Sequence, residues 1–284
     1  MKLKSHNLLT WVPHLFLFYK EKVFRKLLPI MIIIVIYAIV IAHFFENATR
    51  YNFGQFHLIF SFILAIIISF RVNTSYARWW EARTLWGAIT NNCRNLGLKF
   101  DVFVGLQHHQ EFYELLRKLP LILKAYLRNE TDELNRELLS LCLHDVGSQH
   151  PILFVTKRMY IILNQLRQEN KLQLEQYLVL DTHLANLNDM IGGCERIANT
   201  QVPPAFAFFV KQALLFYTLM FPFGWVETFG VLIIPMMVMI VYILLGLEIL
   251  SEELEEPFGK GDNDLPLNSI AKNIVRNIEQ IATE

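Results

Sequence analysis

FHLIFSFILAIIISFRVNTSYARWWEARTLW, residues 56–86, decides how this chain reads. An unbroken apolar run, 56–70, flows directly into a stretch carrying Arg71, Arg78, Glu81, Arg83 and the tryptophans Trp79, Trp80 and Trp86. No Gly or Pro interrupts it, so the spacing predicts one helix of about 45 Å. That is longer than the roughly 30 Å hydrocarbon core of a bilayer. A helix that starts among apolar surroundings and continues well into a charged region suggests a conduit more than a simple anchor.

Three more apolar stretches flank it: 27–45 with His43, 205–221 with Lys211, and 229–247. By length the first and last read as membrane spans, whereas 56–70 and 205–221 need flanking residues or partner subunits. Lys2, Lys4, Lys20, Lys22, Arg25 and Lys26 precede the first span. The 46–55 loop holds only Arg50, and the 222–228 loop holds neither Lys nor Arg. Basic residues stay on the cytosolic side, so both termini and the 71–204 and 248–284 regions are expected in the cytosol. The N-terminal segment lacks a clean signal peptide, and the chain is expected to insert whole as a multi-pass protein of the cell's inner (plasma) membrane.

The bulk composition agrees with a mixed protein. The 284 residues are 54% hydrophobic and 18% charged, too apolar for an ordinary soluble domain and too charged to lie wholly in lipid. Net charge is zero, which points to no nucleic-acid partner. Cys93, Cys142 and Cys194 form no CxxC pair and read as buried thiols.

The middle of the chain shows apolar residues at helical spacing, as in EFYELLRKLPLILKAYL (111–127) and QLEQYLVLDTHLANLNDMIGGCERI (173–197). Pro120, Pro151 and the Gly192-Gly193 pair are expected to punctuate it, with helix starts at Thr131-Asp132-Glu133 and at Asp181 or Thr182. Beyond 247 the fourth span is expected to continue as a helix, break at Pro257-Phe258-Gly259, and give way to an amphipathic helix from about Leu267. The fold class is all-α: four transmembrane helices continuing into one cytosolic helical bundle.

Chemistry-bearing clusters are sparse. Glu248, Glu252, Glu253, Glu255 and Glu256 form an acidic helix end. It reads as a charged face paired with arginines such as Arg78 and Arg83, or else as a metal or acid–base site. No Ser–His–Asp order, HExxH or phosphate-binding Gly loop is present. His108-His109 and the Cys142/His144 pair have poor chelate spacing, and no metal or cofactor is expected. The Gly259–Asp264 loop has Asp262 and Asp264 but lacks the later bidentate Glu of an EF-hand, so a turn is the simpler reading. Arg78 and Glu81 suit an i,i+3 ion pair, and Trp79 with Arg83 a cation–π pair. Lys211, the one charge within a span, is expected to snorkel or to pair between subunits.

Phe62, Ile66 and Phe70 fall at i, i+4 and i+8, along one face of the helix. Ringed around an axis, that face makes a narrow apolar constriction. Because nearly every residue of 58–70 is apolar, periodicity alone leaves simple packing against neighbours equally open.

Three separated motifs, SFRVNTSYARWWEARTLWG (69–87), GGCERIANTQVPPAF (192–206) and LEILSEELEEPFGKGDNDLPL (247–267), resemble the bestrophin family, in particular its prokaryotic branch. The resemblance runs over essentially the whole chain as one channel domain, 1–284. It implies a homopentameric ion channel embedded in membrane lipid, not an enzyme, with Phe62, Ile66 and Phe70 as the pore neck. It implies a second aperture near Leu174, Glu175 and Leu178, and a supporting role for Arg71, Arg78, Trp79, Trp80, Glu81 and Arg83. Calcium-binding relatives carry a long acidic run after Pro-Phe-Gly; here Lys260 intervenes and only Asp262 and Asp264 follow, which argues against calcium. The expected permeant ions are chloride and other small anions. A monovalent-cation-selective channel of the same architecture is the alternative, with a membrane enzyme using the acidic 248–256 helix end, or a scaffold, as the remaining rivals. A secondary transporter is disfavoured, because the spans hold few polar residues and no broken helix pair.

Overall fold

The computed structural model describes residues 22–45, 54–141 and 150–283. Lys2, Lys4, Lys20, Arg50, Cys142 and His144 lie outside these. Among the described residues the regular structure is entirely helical. In chain order the helices are α1 (Lys22–Phe45), α2 (Gly54–Val104), α3 (Gln110–Leu127), α4 (Thr131–Ser140), α5 (Pro151–Gln168), α6 (Leu174–Asn199), α7 (Pro204–Phe229), α8 (Ile233–Glu255) and α9 (Leu267–Thr283).

Three stretches are long and apolar enough to cross a membrane: Lys22–Phe44, Gly54–Val104 and Pro204–Glu255. The third is divided into α7 and α8 by a 3₁₀ turn at Gly230–Leu232. Gly230 takes φ 49°, a conformation that suits a residue without Cβ, and it ends α7 there. The helix α7 runs on to Phe229, and α8 starts at Ile233 after the 3₁₀ turn.

The chain divides into two compact units. One comprises the described residues up to Tyr76 together with Val202–Glu255. Its core is Ile34 and Ala38 of α1, Leu64 and Ile68 of α2, Val210, Leu214, Tyr217 and Phe221 of α7, and Ile233, Met237 and Val241 of α8. Each set repeats every three or four residues, so each helix offers one stripe to the others. Aromatic contacts fill the seam between α2 and α7: Phe60 stacks on Tyr217 at 5.8 Å, and the buried His57 sits edge-on to Tyr217 and Phe221. Gly224 admits the imidazole, since a Cβ there would overlap the His57 ring. Only 22% of each apolar span is buried within the chain, which leaves large apolar surfaces for lipid or further subunits.

The second unit comprises Ala77–Gln201 and Glu256–Glu284. Its core is built from Trp86, Ile89, Cys93, Leu96 and Phe100 of α2 and from stripes on α3, α5, α6 and α9. Phe100 stacks face to face on Phe112 at 3.9 Å. The stripe Leu267, Ala271, Ile274 and Ile278 is the buried side of α9. Gly97 lies beneath Ile278, where a Cβ would sit 3.1 Å from its Cδ1. At its far end α2 stops at Val104: Gly105 takes φ 91°, and Asp101 Oδ1 accepts from the Leu106 amide at 2.8 Å.

Several local expectations change. Asp181 and Thr182 lie inside α6, which starts at Leu174; the Gln173 amide donates to Gln176 Oε1 at 3.0 Å at its true start. Gly192 and Gly193 also lie inside α6. There a Cβ on Gly193 would press within 3.0 Å of the Leu85 methyls, so packing accounts for this glycine. Pro120 is buried within α3 and does not end it, whereas Pro151 opens α5. Thr131 does begin a helix, with Glu130 as the preceding cap residue.

Candidate functional site

The buried side of α2 in the first unit is His57, Leu64, Ile68, Arg71 and Ser75, a spacing of three, four or seven that marks one helix face. Phe62, Ile66 and Phe70 point elsewhere: at about 100° per residue their mean direction is roughly opposite that face. They are 68%, 42% and 65% exposed. Packing within the chain therefore leaves all three exposed, Ile66 the least.

Arg71 follows Phe70 directly but turns the other way, and it is only 1% exposed. Its Nε donates to Glu248 Oε2 at 3.3 Å and its Nη2 to Glu248 Oε1 at 3.4 Å. A further guanidinium nitrogen pairs with Glu255. Ser75 Oγ donates to the Arg71 carbonyl at 3.0 Å and lies 3.1 Å from Glu255 Oε1. A planar guanidinium suits this arrangement, because its fork of donors reaches two carboxylates at once.

The rest of the acidic helix end is divided among other helices. Glu252 pairs with Lys211 of α7, and Glu253 with Lys26 of α1 at 2.7 Å. Arg71, Lys211 and Lys26 hold this end of α8. Its carboxylates tie α8 to α1, α2 and α7, and Lys211 finds its counter-ion inside its own chain.

The second unit holds the other predicted residues. Arg78 donates to the Ile197 carbonyl, and Glu81 pairs with Arg196 at 2.5 Å. Both contacts run from α2 to α6, where the expectation was a pair within α2. Trp79 Nε1 donates to the Asn263 carbonyl at 2.9 Å, and the Trp79 and Trp80 rings lie 6.4 Å apart. Arg83 Nη1 rests 3.5 Å from where a Cβ on Gly87 would stand. Leu174, Glu175 and Leu178 are exposed in the first turns of α6, the two leucines at 47% and 51%.

The 256–266 loop is a set of turns. Asp264 Oδ2 accepts from the Gly261 amide at 2.5 Å, the Leu265 amide donates to the Pro257 carbonyl at 2.8 Å, and Phe258 and Leu265 are buried. Arg128 Nε donates to the Phe258 carbonyl at 3.0 Å, and Lys260 pairs with Glu130 at 2.5 Å. The Lys260 hydrogen bond holds the Glu130 carboxyl below its ordinary value. Among the described residues no three His, Cys, Asp or Glu side chains converge as a metal site would require. His108 lies in a 3₁₀ turn and His109 caps α3.

Elsewhere in this unit His183 of α6 accepts from Lys99 Nζ at 2.7 Å through Nε2, so its Nδ1–H donates to Asn92 Oδ1 at 3.1 Å. Burial, and then the Lys99 charge, hold this imidazole below its usual range. Burial pushes the Cys194 thiol up to about 12. Neither the His183 network nor the Arg71 carboxylate pair was foreseen in the sequence, since neither follows a local spacing.

A helix of this length with one packed face, one uncovered aromatic face and a buried charge cluster defines a membrane protein of multi-pass, helical type. The sequence matches the Bacterial/Fungal Bestrophin protein family over residues 2–280. The chain belongs to the bestrophin family. It is 30% identical over 275 residues to a voltage-dependent anion channel-forming protein of Ralstonia nicotianae, covering 91% of this chain and 90% of that one. It is 33% identical over 234 residues to a protein of the same description from Nostoc, covering 78% and 76%. Its fold is similar to crystal structures of a bacterial bestrophin homologue from Klebsiella pneumoniae. One of these superposes with a TM-score of 0.84 at 27% identity, covering 91% of this chain and all of the other.

Proposed function

We infer that the protein is a channel of the cell's inner membrane that conducts chloride and other small anions passively. The observation that carries this is the uncovered Phe62–Ile66–Phe70 face, opposite the packed side of α2, in a chain whose relatives are described as anion channel-forming proteins. Five copies around an axis bring this face together as a hydrophobic neck, with four spans per subunit at about 27–45, 56–70, 205–221 and 229–247. Both termini and the 71–204 and 248–284 regions lie in the cytosol, in line with the basic residues that flank the spans. Family membership makes the protein a channel and not an enzyme. The acidic helix end, occupied by Arg71, Lys211 and Lys26, serves as a brace.

An ion crossing the neck sheds part of its hydration, which favours ions that dehydrate easily. Phenylalanine ring edges carry partial positive charge, and five of them facing the axis attract an anion weakly. Leu174, Glu175 and Leu178 form a second, cytosolic aperture. The exposed Glu175 favours the rival reading of monovalent-cation selectivity, since five carboxylates at a constriction attract cations.

Reversal potentials in planar bilayers under a KCl gradient separate the two: a value near the chloride equilibrium potential supports the anion channel, one near potassium the rival. Replacing Phe62, Ile66 and Phe70 together by Ala widens the neck and raises single-channel conductance. Unchanged current in that triple variant sinks the neck assignment.

A further inference from the structure

On the face of α2 that carries the neck, the first polar side chain to follow Phe70 is Asn73. Eleven residues separate it from Phe62, which at about 100° each returns it to within roughly 20° of the mean direction of Phe62, Ile66 and Phe70. It lies about 4.5 Å further along the axis than Phe70. Its side chain is exposed and makes no hydrogen bond among the described residues. The polar residues two positions to either side, Arg71 and Ser75, are turned to the opposite face and consumed by Glu248 and Glu255. Ser69 lies about 60° off the neck direction. So the side of α2 that carries the neck passes from three apolar layers to a neutral amide, while the nearest positive charge is buried and paired behind it.

We propose that Asn73 forms an anion-coordinating ring at the inner mouth of the neck, its side-chain NH₂ groups taking up a small, partly dehydrated anion such as chloride. This rests on the reading of Phe62, Ile66 and Phe70 as pore lining. Helical side chains lean toward the N-terminus, which brings the Asn73 amide under Phe70 and not further from it. An amide supplies two N–H donors. At the inner end of the apolar neck these stand in for part of the water an anion sheds inside it. Because the amide is neutral, it holds the anion weakly enough to release it, which conduction requires. A buried Arg71 serves the same end: an exposed arginine here would place five fixed positive charges at the exit and retain the anion.

The test uses full-length protein reconstituted in planar bilayers, with chloride, bromide, nitrate and thiocyanate as permeant anions. Asn73→Leu lowers unitary chloride conductance and moves the permeability series further toward thiocyanate, the most weakly hydrated of the four. Asn73→Gln retains the wild-type series, and Ser69→Ala, off the face, changes nothing. Asn73→Asp reverses the sign of the reversal potential under a KCl gradient. Gel filtration of each variant checks that assembly is intact. If Asn73→Leu leaves conductance and series unchanged while the Phe62/Ile66/Phe70 triple-alanine variant raises the current, the ring is wrong and the neck stands. If the triple variant is silent as well, the neck reading fails and the ring fails with it. An effect of Asn73→Leu on potassium permeability alone overturns the anion assignment.

Discussion

Arg71 and Glu248 form a buried two-point ion pair, at 3.3 and 3.4 Å, between residues 177 positions apart in the chain. The pair ties α2, which carries the Phe62–Ile66–Phe70 face, to the acidic end of α8. Removing Glu248 leaves the buried guanidinium with Glu255 alone, and breaking a buried pair in proteins costs up to about 3–5 kcal/mol. Glu248→Gln is therefore expected to lower the thermal unfolding midpoint of the detergent-purified protein sharply. Arg71→Met with Glu248→Leu, which removes both charges, is expected to recover much of the loss. A single variant that melts like wild type overturns the assignment of this pair as a brace.

Acid acts on the His183 cluster. The folded imidazole has a pKa below its unfolded value, near 6.5 for an unperturbed histidine. The unfolded chain then binds more protons, so this group's contribution is fully present above pH ~6.5 and falls away as pH drops toward the folded value. Protonation also sets an imidazolium against Lys99 and removes the acceptor for the Lys99 ammonium. Melting curves from pH 8 to 5 are expected to show a downward shift for wild type that His183→Asn flattens. Parallel curves for the two proteins argue against it.

Gly224 is required by shape. A Cβ at this position overlaps the His57 ring, which Tyr217 and Phe221 hold edge-on. Gly224→Ala is expected to destabilise by about 1–3 kcal/mol, the usual cost of overpacking. A second change, His57→Ala, makes room and is expected to return part of the stability. Additive losses in the double variant count against direct contact as the cause.

The proposed cytosolic aperture carries its own expectation. Glu175→Gln removes the negative charges of the proposed constriction and is expected to shift the reversal potential toward chloride, most strongly in low salt, where screening is weakest. Leu178→Ala is expected to widen the same opening and raise conductance. Reversal potentials and currents identical to wild type in both variants place the aperture elsewhere.

Much of the fold was legible in sequence. The Gly- and Pro-free run through 56–86 reads as one helix, and it extends to Val104, where Gly105 ends it. The Pro257-Phe258-Gly259 break and the start of the last helix at Leu267 also follow from local chemistry. Asp181 and Gly192-Gly193 misled because their usual roles are only preferences. An Asp-Thr pair caps a helix if the chain happens to start there, and a glycine ends one if nothing nearby needs its small size. Leu85 needs it at Gly193.

The candidate site divides along the same line. Phe62, Ile66 and Phe70 share a face by arithmetic, and residue order alone carries that face, the polarity change at Arg71, the basic flanks of the spans and the family. Packing between helices is what leaves this face uncovered, turns Arg71 away from it, and brings Glu248, Glu252, Glu253 and Glu255 to Arg71, Lys211 and Lys26. Where nearly every residue is apolar, helical periodicity carries no preference among faces. Which side is covered depends on helices more than a hundred residues away, and so does the carboxylate that each cation meets.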